Sequence, residues 1–578
     1  MAQAIYRNIP DSAGENAYAA DPDFARLLRI YARPAEVAHV EPRFEELGAL
    51  VGDELEQLAL TADKHKPTLA VRHRNASPRN GIDKHPAYVQ LERYAFEHFG
   101  LAAMSHRPGV FDWPEKWPPI VKYGLTYLFV QAEFGLCCPL SMTDALTRTL
   151  AKFGDPALVD RFFDDLTTQD FEALCQGAMF MTEQDAGSDV GRISTEAREE
   201  NGVWKLYGDK WFCSNADAGL AMVLARPVDG GEGTKGLTLF LLPRHKADGE
   251  LNDYRLIRLK DKLGTRSMAS GEITLDGAEA YVVGEPGSGF KQMTDMINMS
   301  RLSNGVRSAG LMRRALNEAL FFARHREAFG HKLVDLPLMW RTLLKLMTPA
   351  EQGRSMAFHT ADVLRRADGG DARAQKLLRI LTPLMKFRTT RDARKVAGDG
   401  MEVRGGCGYI EEFSDARVLR DAHLGSIWEG TSNIVALDVI RSIKREDTLA
   451  TLVPYLHECL DAVELPAAAR GVFDDALERA ERAVMRVVEN KDATIDTRVA
   501  ASGLYHVASA VFLAWEASRS EGDWRRLALA WLVLTHRVLP RDPLAVDAPD
   551  AELVQCLLAE APMSRDQALS LAPEPACA

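Results

Sequence analysis

Ile427–Arg441, IWEGTSNIVALDVIR, is the stretch around which the chain is organised. Its first part interrupts apolar residues with a carboxylate and a glycine, and the rest repeats apolar residues at helical spacing. Ile427 and Trp428 predict a poorly hydrated wall, Gly430 permits a tight turn or a close approach to a ligand, and Thr431 or Ser432 suits the cap of the following helix. Removing a carboxylate from water moves it toward the neutral range in which a general base works. Glu429 is therefore the candidate base. A lone glutamate ahead of a helix is far more often a capping or surface residue, so the flanking sequence has to carry the catalytic reading.

The 578 residues suffice for roughly three or four domains, and 46% hydrophobic with 26% charged residues is ordinary for a soluble globular protein. A net charge of −12 argues against a chain-wide surface for nucleic acid. Eight scattered cysteines contain no C-x-x-C pair, so neither a zinc site nor a disulfide framework is expected. The first residues, MAQAIYRNIPDSAGENAY, carry no basic-then-apolar signal, and no apolar run approaches the ~18 residues of a membrane span. A cytoplasmic location is expected.

Residues 1–48, punctuated by Pro10, Pro22 and Pro34, read as an extended arm leading to a first helix. From about 49 to 174 the period is helical, as in Val89–Phe99, Ile120–Phe134 and Met142–Phe153. Trp113, Trp117, Tyr123 and Tyr127 read as core, with a cavity lining as the alternative. From 175 to 285 short apolar and β-branched segments alternate with Gly, Asn and Asp turns: Phe180–Thr182, Val203–Tyr207, Lys210–Ser214, Ala221–Ala225, Leu237–Leu242, Tyr254–Leu259 and Glu272–Leu275. Gly231–Gly236 has the G-x-G-x-x-G spacing of a dinucleotide loop but is followed by a strand rather than a helix, so it reads as a hairpin loop. Helical spacing returns over 286–445, in Phe290–Arg324, Leu336–Arg366 and Asp371–Ala397, and over 446–578, in Phe473–Glu489, Thr497–Ala517 and Trp524–Arg537, before a Pro- and Ala-rich tail. The expected class is α+β multidomain: an arm and helical domain (1–174), a central β domain (175–285), a helical bundle with the Glu429 loop (286–445) and an extra helical domain (446–578).

Further stretches bear on chemistry. Met181–Asp189, MTEQDAGSD, is a strand end running into a glycine loop whose hydroxyls and N–H groups suit a planar, acceptor-rich ring. In Lys210–Asn215, KWFCSN, alternate residues share a strand face, so Phe212 and Ser214 can meet one ligand. Arg326–Gly330, REAFG, and Met401–Tyr409, MEVRGGCGY, combine cations, aromatic rings and glycines that let the backbone approach closely. With Ile427–Arg441, these stretches resemble signatures of the acyl-CoA dehydrogenase flavoenzyme family: T-E-x-x-x-G-S-D, K-x-W-I-T-N, R-x-x-F-G with a glycine stretch, and Y-E-G-T.

The resemblance implies FAD. Met181, Thr182, Gly187 and Ser188 would lie at the flavin, with Phe212 in the usual Trp position, Ser214 in the usual Thr position and Cys213 between them. Arg326, Phe329, Gly405 and Gly406 would bind the adenosine-diphosphate half across a subunit interface, which needs at least a dimer and in the family is commonly a homotetramer. Ile427, Trp428, Gly430, Thr431 and Asn433 are further cofactor contacts on this reading. Glu429 would take the α-proton of an acyl thioester while hydride leaves Cβ for flavin N5, a geometry needing base and ring on opposite sides of the chain. Ser300 stands where other relatives carry the base. Arg301 and Arg441 would face substrate, Arg441 lying twelve residues after Glu429, a little over three helical turns. Glu402 and Pro337 replace usual Gln residues, and Asn298 a usual Asp. Reduced flavin implies an electron acceptor, either an electron-transfer flavoprotein or oxygen.

Gly135–Thr143, His85–Tyr88, Leu259–Ser267, Ser426–Gly430 and the extra C-terminal helices are similar to the AidB-type adaptive-response branch, associated with protection from DNA alkylation and DNA binding through a basic C-terminal domain. Residues 446–578 depart from it, with twelve Lys or Arg against twenty-two Asp or Glu, and repulsion opposes phosphate binding there. Arg525, Arg526 and Arg537 are the remaining candidates for a local patch, with solvated surface the expected state. The sequence thus favours a dehydrogenase of an acyl thioester, with a DNA-associated flavoprotein of incidental turnover as the alternative.

Overall fold

The computed structural model describes residues 9–540, 544 and 550–573. In chain order these form α1 (Pro22–Tyr31), α2 (Pro34–Gly52), α3 (Glu54–Lys64), β1 (Thr68–Arg72), β2 (Pro78–Asp83), α4 (Pro86–Glu92), α5 (Pro119–Ala132), α6 (Cys137–Phe153) and α7 (Pro156–Thr167). The strands β3 (Gly177–Phe180), β4 (Glu196–Glu200), β5 (Val203–Ser214), β6 (Leu220–Pro227), β7 (Thr238–Pro243), β8 (Tyr254–Leu259) and β9 (Ser270–Val282) follow. The remainder is α8 (Gly289–His325), a short hairpin of β10 (Glu327–Ala328) and β11 (His331–Lys332), α9 (Pro337–Asp368), α10 (Ala372–Val403), α11 (Ser414–Gly425), α12 (Ser432–Glu446), α13 (Leu449–Asp461), α14 (Ala467–Glu489), α15 (Thr497–Ala517), α16 (Arg525–Val533), α17 (Ala551–Leu558) and α18 (Arg565–Leu569). Among the described residues no helix is long and apolar enough to cross a membrane.

The extended arm expected over 1–48 is not what forms. Pro22 and Pro34 open α1 and α2 at the first helical turn, where a missing N–H costs nothing. Residues 1–8 lie outside the described residues, as do 574–578 of the Pro- and Ala-rich tail.

The chain divides into two compact units. One comprises Glu54–Trp117 and Ala132–Ser303 and contains the sheet. There β6, β4, β5, β9 and β7 pair in that order, and β7 returns to β6, so the pairings close a ring; β3 and β8 add to β6 and β9. Closure buries both faces of β6 and β7, which explains why LAMVLA and TLFLLP are apolar without alternation. The expected Val203–Tyr207 and Lys210–Ser214 are one strand, β5, bent at a register shift near Gly208, whose φ of +137° suits glycine. Gly231–Gly236 joins antiparallel β6 and β7, as its hairpin reading required. Trp117 is buried and stacks on Trp113 with centroids 4.8 Å apart.

The other unit holds the described residues of Met1–Asp53, Pro118–Gln131 and Asn304–Ala578 and is helical. Its core includes Tyr123 and Tyr127 and a lattice of buried charge. Arg525 and Arg526, taken from sequence as surface, are 0% and 2% exposed. Arg525 pairs with Asp23, and Arg526 donates to Glu351 at 2.9 Å and to Glu516 at 2.7 Å. Arg354 joins Asp21 to Glu351, and Arg313 binds Glu560 at 2.6 Å. Burial alone would raise the Glu351 carboxyl, but Arg354, Arg526 and Arg525 outweigh it and bring it down to about 2. Guanidinium groups tolerate such burial only when carboxylates surround them, and here α1, α9, α15 and α16 meet around them.

Candidate active site

In the sheet-containing unit, the loop after β3 lies against the end of β5. Trp211 N donates to Thr182 O at 2.8 Å, and Lys210 Nζ donates to Glu183 Oε1 and Leu224 O, both at 2.8 Å. Glu183 also accepts from Ser194 N (2.7 Å) and Oγ (2.8 Å) and from Thr195 N (3.1 Å) and Oγ1 (2.5 Å). Burial would raise the Glu183 carboxyl; Lys210 and the donors outweigh it and hold it down to about 2. Glu183 and Lys210 thus face inward and pin the loop to the strand. Phe212 is 57% exposed, Ser214 half-buried on the same strand face, and Gly187 and Ser188 exposed. Cys213, expected at the cofactor, instead turns its side chain into the sheet core, where burial pushes its thiol well up. Strand alternation requires that turn once Phe212 and Ser214 face out. Met181 and Thr182 are half-buried beside them.

In the helical unit, α11 ends at Gly425 and the chain enters a turn. Glu429 has φ +48° and Gly430 φ +99°. A left-handed conformation costs a non-glycine residue about 1–2 kcal/mol, so neighbouring groups must hold it. Lys386 Nζ, from the buried face of α10, donates to Trp428 O at 2.7 Å and Gly430 O at 2.5 Å. Asn304 Nδ2, from α8, donates to Glu429 Oε2 at 3.0 Å and Gly425 O at 3.1 Å. The Arg307 guanidinium lies 4.9 Å from the Trp428 ring centre. The apolar wall expected of Ile427 and Trp428 is only half realised: Trp428 is half-buried, but Ile427 is 57% exposed, because a turn this tight cannot direct successive side chains inward. Thr431 occupies the N-cap of α12 without a side-chain capping bond.

Elsewhere in that unit Phe329 and Gly330, φ +55° and +78°, make the two-residue turn between β10 and β11, with Phe329 91% exposed and Arg326 half-buried at its base. A Cβ built on Gly405 or Gly406 meets nothing within 4 Å, so their backbone is open to approach. Pro337, in a usual Gln position, opens α9. Of the expected substrate residues, Arg441 is exposed on α12, and Arg301, in the sheet-containing unit, is buried with Nη1 3.4 Å from Asn298 Oδ1.

Residues 8–173 match the family described as adaptive response protein AidB N-terminal domain, 178–278 the acyl-CoA dehydrogenase middle domain, and 287–444 the acyl-CoA dehydrogenase C-terminal domain. Acyl-CoA dehydrogenase family member 11 of Caenorhabditis elegans is 32% identical over 75% of this chain and 72% of its own length. This chain belongs to the acyl-CoA dehydrogenase family. The putative acyl-CoA dehydrogenase AidB of Escherichia coli (strain K12) is 35% identical over 63% of this acyl-CoA dehydrogenase family member and 66% of its own length. The crystal structure of Caenorhabditis elegans ACDH-11 in complex with C11-CoA superposes with a TM-score of 0.82 at 26% identity, covering 96% of the family member and 92% of that chain. The family consists of flavin-dependent oxidoreductases with an N-terminal helical, a middle β and a C-terminal helical domain, and this chain has that fold.

Sequence reasoning on this acyl-CoA dehydrogenase family member missed Lys386, Asn304, Arg391 and Arg498. Arg391 Nη1 lies 3.3 Å from Ser432 Oγ and Arg498 Nη1 3.5 Å from Asn433 Oδ1, placing two cations at the start of α12. Burial, then Arg498, Arg394 and Arg388, lower the Arg391 pKa. Lys386 stood in a long helix with nothing local to mark it; the only signal was a lysine in an otherwise apolar run, TPLMKF.

Proposed function

We propose that this chain is an FAD-dependent acyl-CoA dehydrogenase in which Glu429 removes the α-proton of an acyl thioester. The observation that carries the reading is a carboxylate on a strained turn, gripped by Asn304 and flanked by carbonyls that Lys386 holds, in a member of this family. The residues suit a flavin dinucleotide. Phe212 offers an exposed ring beside Ser214, the loop at Met181, Thr182, Gly187 and Ser188 borders it, and Gly187 leaves its backbone open. Arg326, Phe329, Gly405 and Gly406 would hold the adenosine-diphosphate half, with Trp428, Gly430, Thr431 and Asn433 beside it. The chemistry supplied by FAD, when bound, is acceptance of the hydride that leaves Cβ.

Glu429 accepts the α-proton, Asn304 holds the Oε2 side of its carboxylate, and Arg301 and Arg441 bind the thioester. A homotetramer, with one copy completing the dinucleotide site of another, and an electron-transfer flavoprotein or oxygen as acceptor complete the reading. ACDH-11 carries C11-CoA in its crystal structure, which makes an acyl-CoA of that length the first substrate to try. Titration of the flavin-loaded protein with saturated acyl-CoA thioesters of graded length is expected to bleach the oxidised flavin with at least one of them; no bleaching by any contradicts the reading.

A DNA-associated, alkylation-response role is the weaker reading. Arg525 and Arg526 are interior, and of the three candidate cations only Arg537 is exposed. Duplex DNA at low salt is expected not to bind; binding that weakens steeply with salt would favour that role.

A further inference from the structure

We infer that Lys386 is a positioning residue for Glu429, acting through the backbone of the turn rather than on the substrate. The inference rests on the dehydrogenase reading above. Lys386 is 1% exposed, and its ammonium donates to the carbonyls of Trp428 and Gly430, the residues on either side of Glu429. Hydrogen bonds from a charged donor to carbonyls are the strong kind. Fixing the Trp428 carbonyl fixes the peptide plane that enters Glu429, and fixing the Gly430 carbonyl pins the chain one residue beyond it, so the backbone is held on both sides of Glu429 and the direction in which its side chain leaves is restricted. Asn304, fully buried and itself anchored on Gly425 O, then fixes the far end by donating to Oε2. The carboxylate is thereby located from its backbone and from its tip, on a residue whose left-handed φ of +48° would otherwise relax.

A lysine suits this task because one ammonium can serve two carbonyls separated by a single residue. A neutral amide offers fewer donors at one point. Burial on the inner face of α10 couples the turn to a 32-residue helix, so the turn inherits the rigidity of the bundle. Proton abstraction is steeply sensitive to such placement, since a displacement of about 1 Å costs on the order of 100-fold in rate.

The test compares flavin-loaded wild type, Lys386→Met and Glu429→Gln with the acyl-CoA that bleaches wild type fastest. Lys386→Met is expected to slow flavin reduction at saturating thioester by on the order of 100-fold, with the thioester concentration for half-maximal rate changed by less than about threefold. Hydrogen–deuterium exchange of peptides spanning residues 424–436, read with and without flavin, is expected to accelerate in Lys386→Met while the strands β5 to β9 keep their protection. Reduction at the wild-type rate, or a loss confined to flavin retention with the 424–436 peptides unchanged, overturns the inference and leaves the dehydrogenase reading standing. Bleaching of Glu429→Gln as fast as wild type, or no bleaching of wild type at all, overturns that reading and the inference with it. If Lys386→Met does not fold, Lys386→Gln, which keeps a donor for one carbonyl, is measured instead; an intermediate rate supports the inference and a wild-type rate overturns it.

Discussion

Glu183 and Lys210 show how a functional surface is held by residues that never reach it. Both are buried, and their ion pair ties the loop after β3 to the strand carrying Phe212 and Ser214. Removing one partner of such a pair leaves an uncompensated charge and costs about 3–5 kcal/mol. Lys210→Met is therefore expected to lower the stability of the sheet-containing unit by that amount in denaturant titration, and the double variant Glu183→Gln/Lys210→Met to recover part of it. Equal losses in the single and double variants would contradict the account. Both motifs were legible as strings, because their residue types and order are unusual. What the string does not carry is direction: strand alternation placed Phe212 and Ser214 on one face, but nothing in the sequence said that Glu183 would point inward, or that Ile427 would stand in solvent. Lys386 and Asn304 were invisible for a related reason, since each acts on a turn far away in sequence.

At the scale of elements, long helices and apolar strands were readable from periodicity, and the exceptions have local causes. Pro22 and Pro34 were read as breaks, yet proline is equally at home at a helix start. The hairpin of β1 and β2 is largely exposed, so TLAVR and PRNGID carry little of the alternation of a half-buried strand. β4, EAREE, is charged because only Ala197 faces the core. Helix caps give a contrast that can be measured. Asp371 Oδ1 accepts from Arg373 N at 2.9 Å and Ala374 N at 3.0 Å at the start of α10, whereas Thr431 makes no such bond at the start of α12. Asp371→Ala is expected to destabilise by about 1 kcal/mol, and Thr431→Ala to change stability by less than about 0.5 kcal/mol, by chemical denaturation of the flavin-free protein.

At the scale of the whole molecule, the C-terminal helices are joined to the earliest ones by buried charge rather than by an apolar seam alone, which composition could not reveal: a count of acids and bases says nothing of which are inside. The same core holds two neutral imidazoles. Burial brings His359, which accepts or donates at Tyr31 and Tyr455, down to about 3, and lowers His506 well below its ordinary value. A histidine whose folded pKa is depressed is protonated in the unfolded chain first, so stability is full above about pH 6.5 and falls as pH drops below it, by about 2 kcal/mol per imidazole at pH 5. Asp415, pushed up to about 6 by burial against the opposing pull of Arg404, works in the other direction below pH 6 and offsets part of that loss. Thermal unfolding followed from pH 8 to pH 5 is expected to show a falling midpoint that His359→Phe flattens; an unchanged slope in the variant would contradict the assignment. The central claim, that Glu429 is the base, is tested most directly by Glu429→Gln loaded with FAD and mixed with a thioester that bleaches the wild-type flavin. The variant is expected to retain its flavin and to bleach at least roughly 1,000-fold more slowly; full bleaching at the wild-type rate would contradict it.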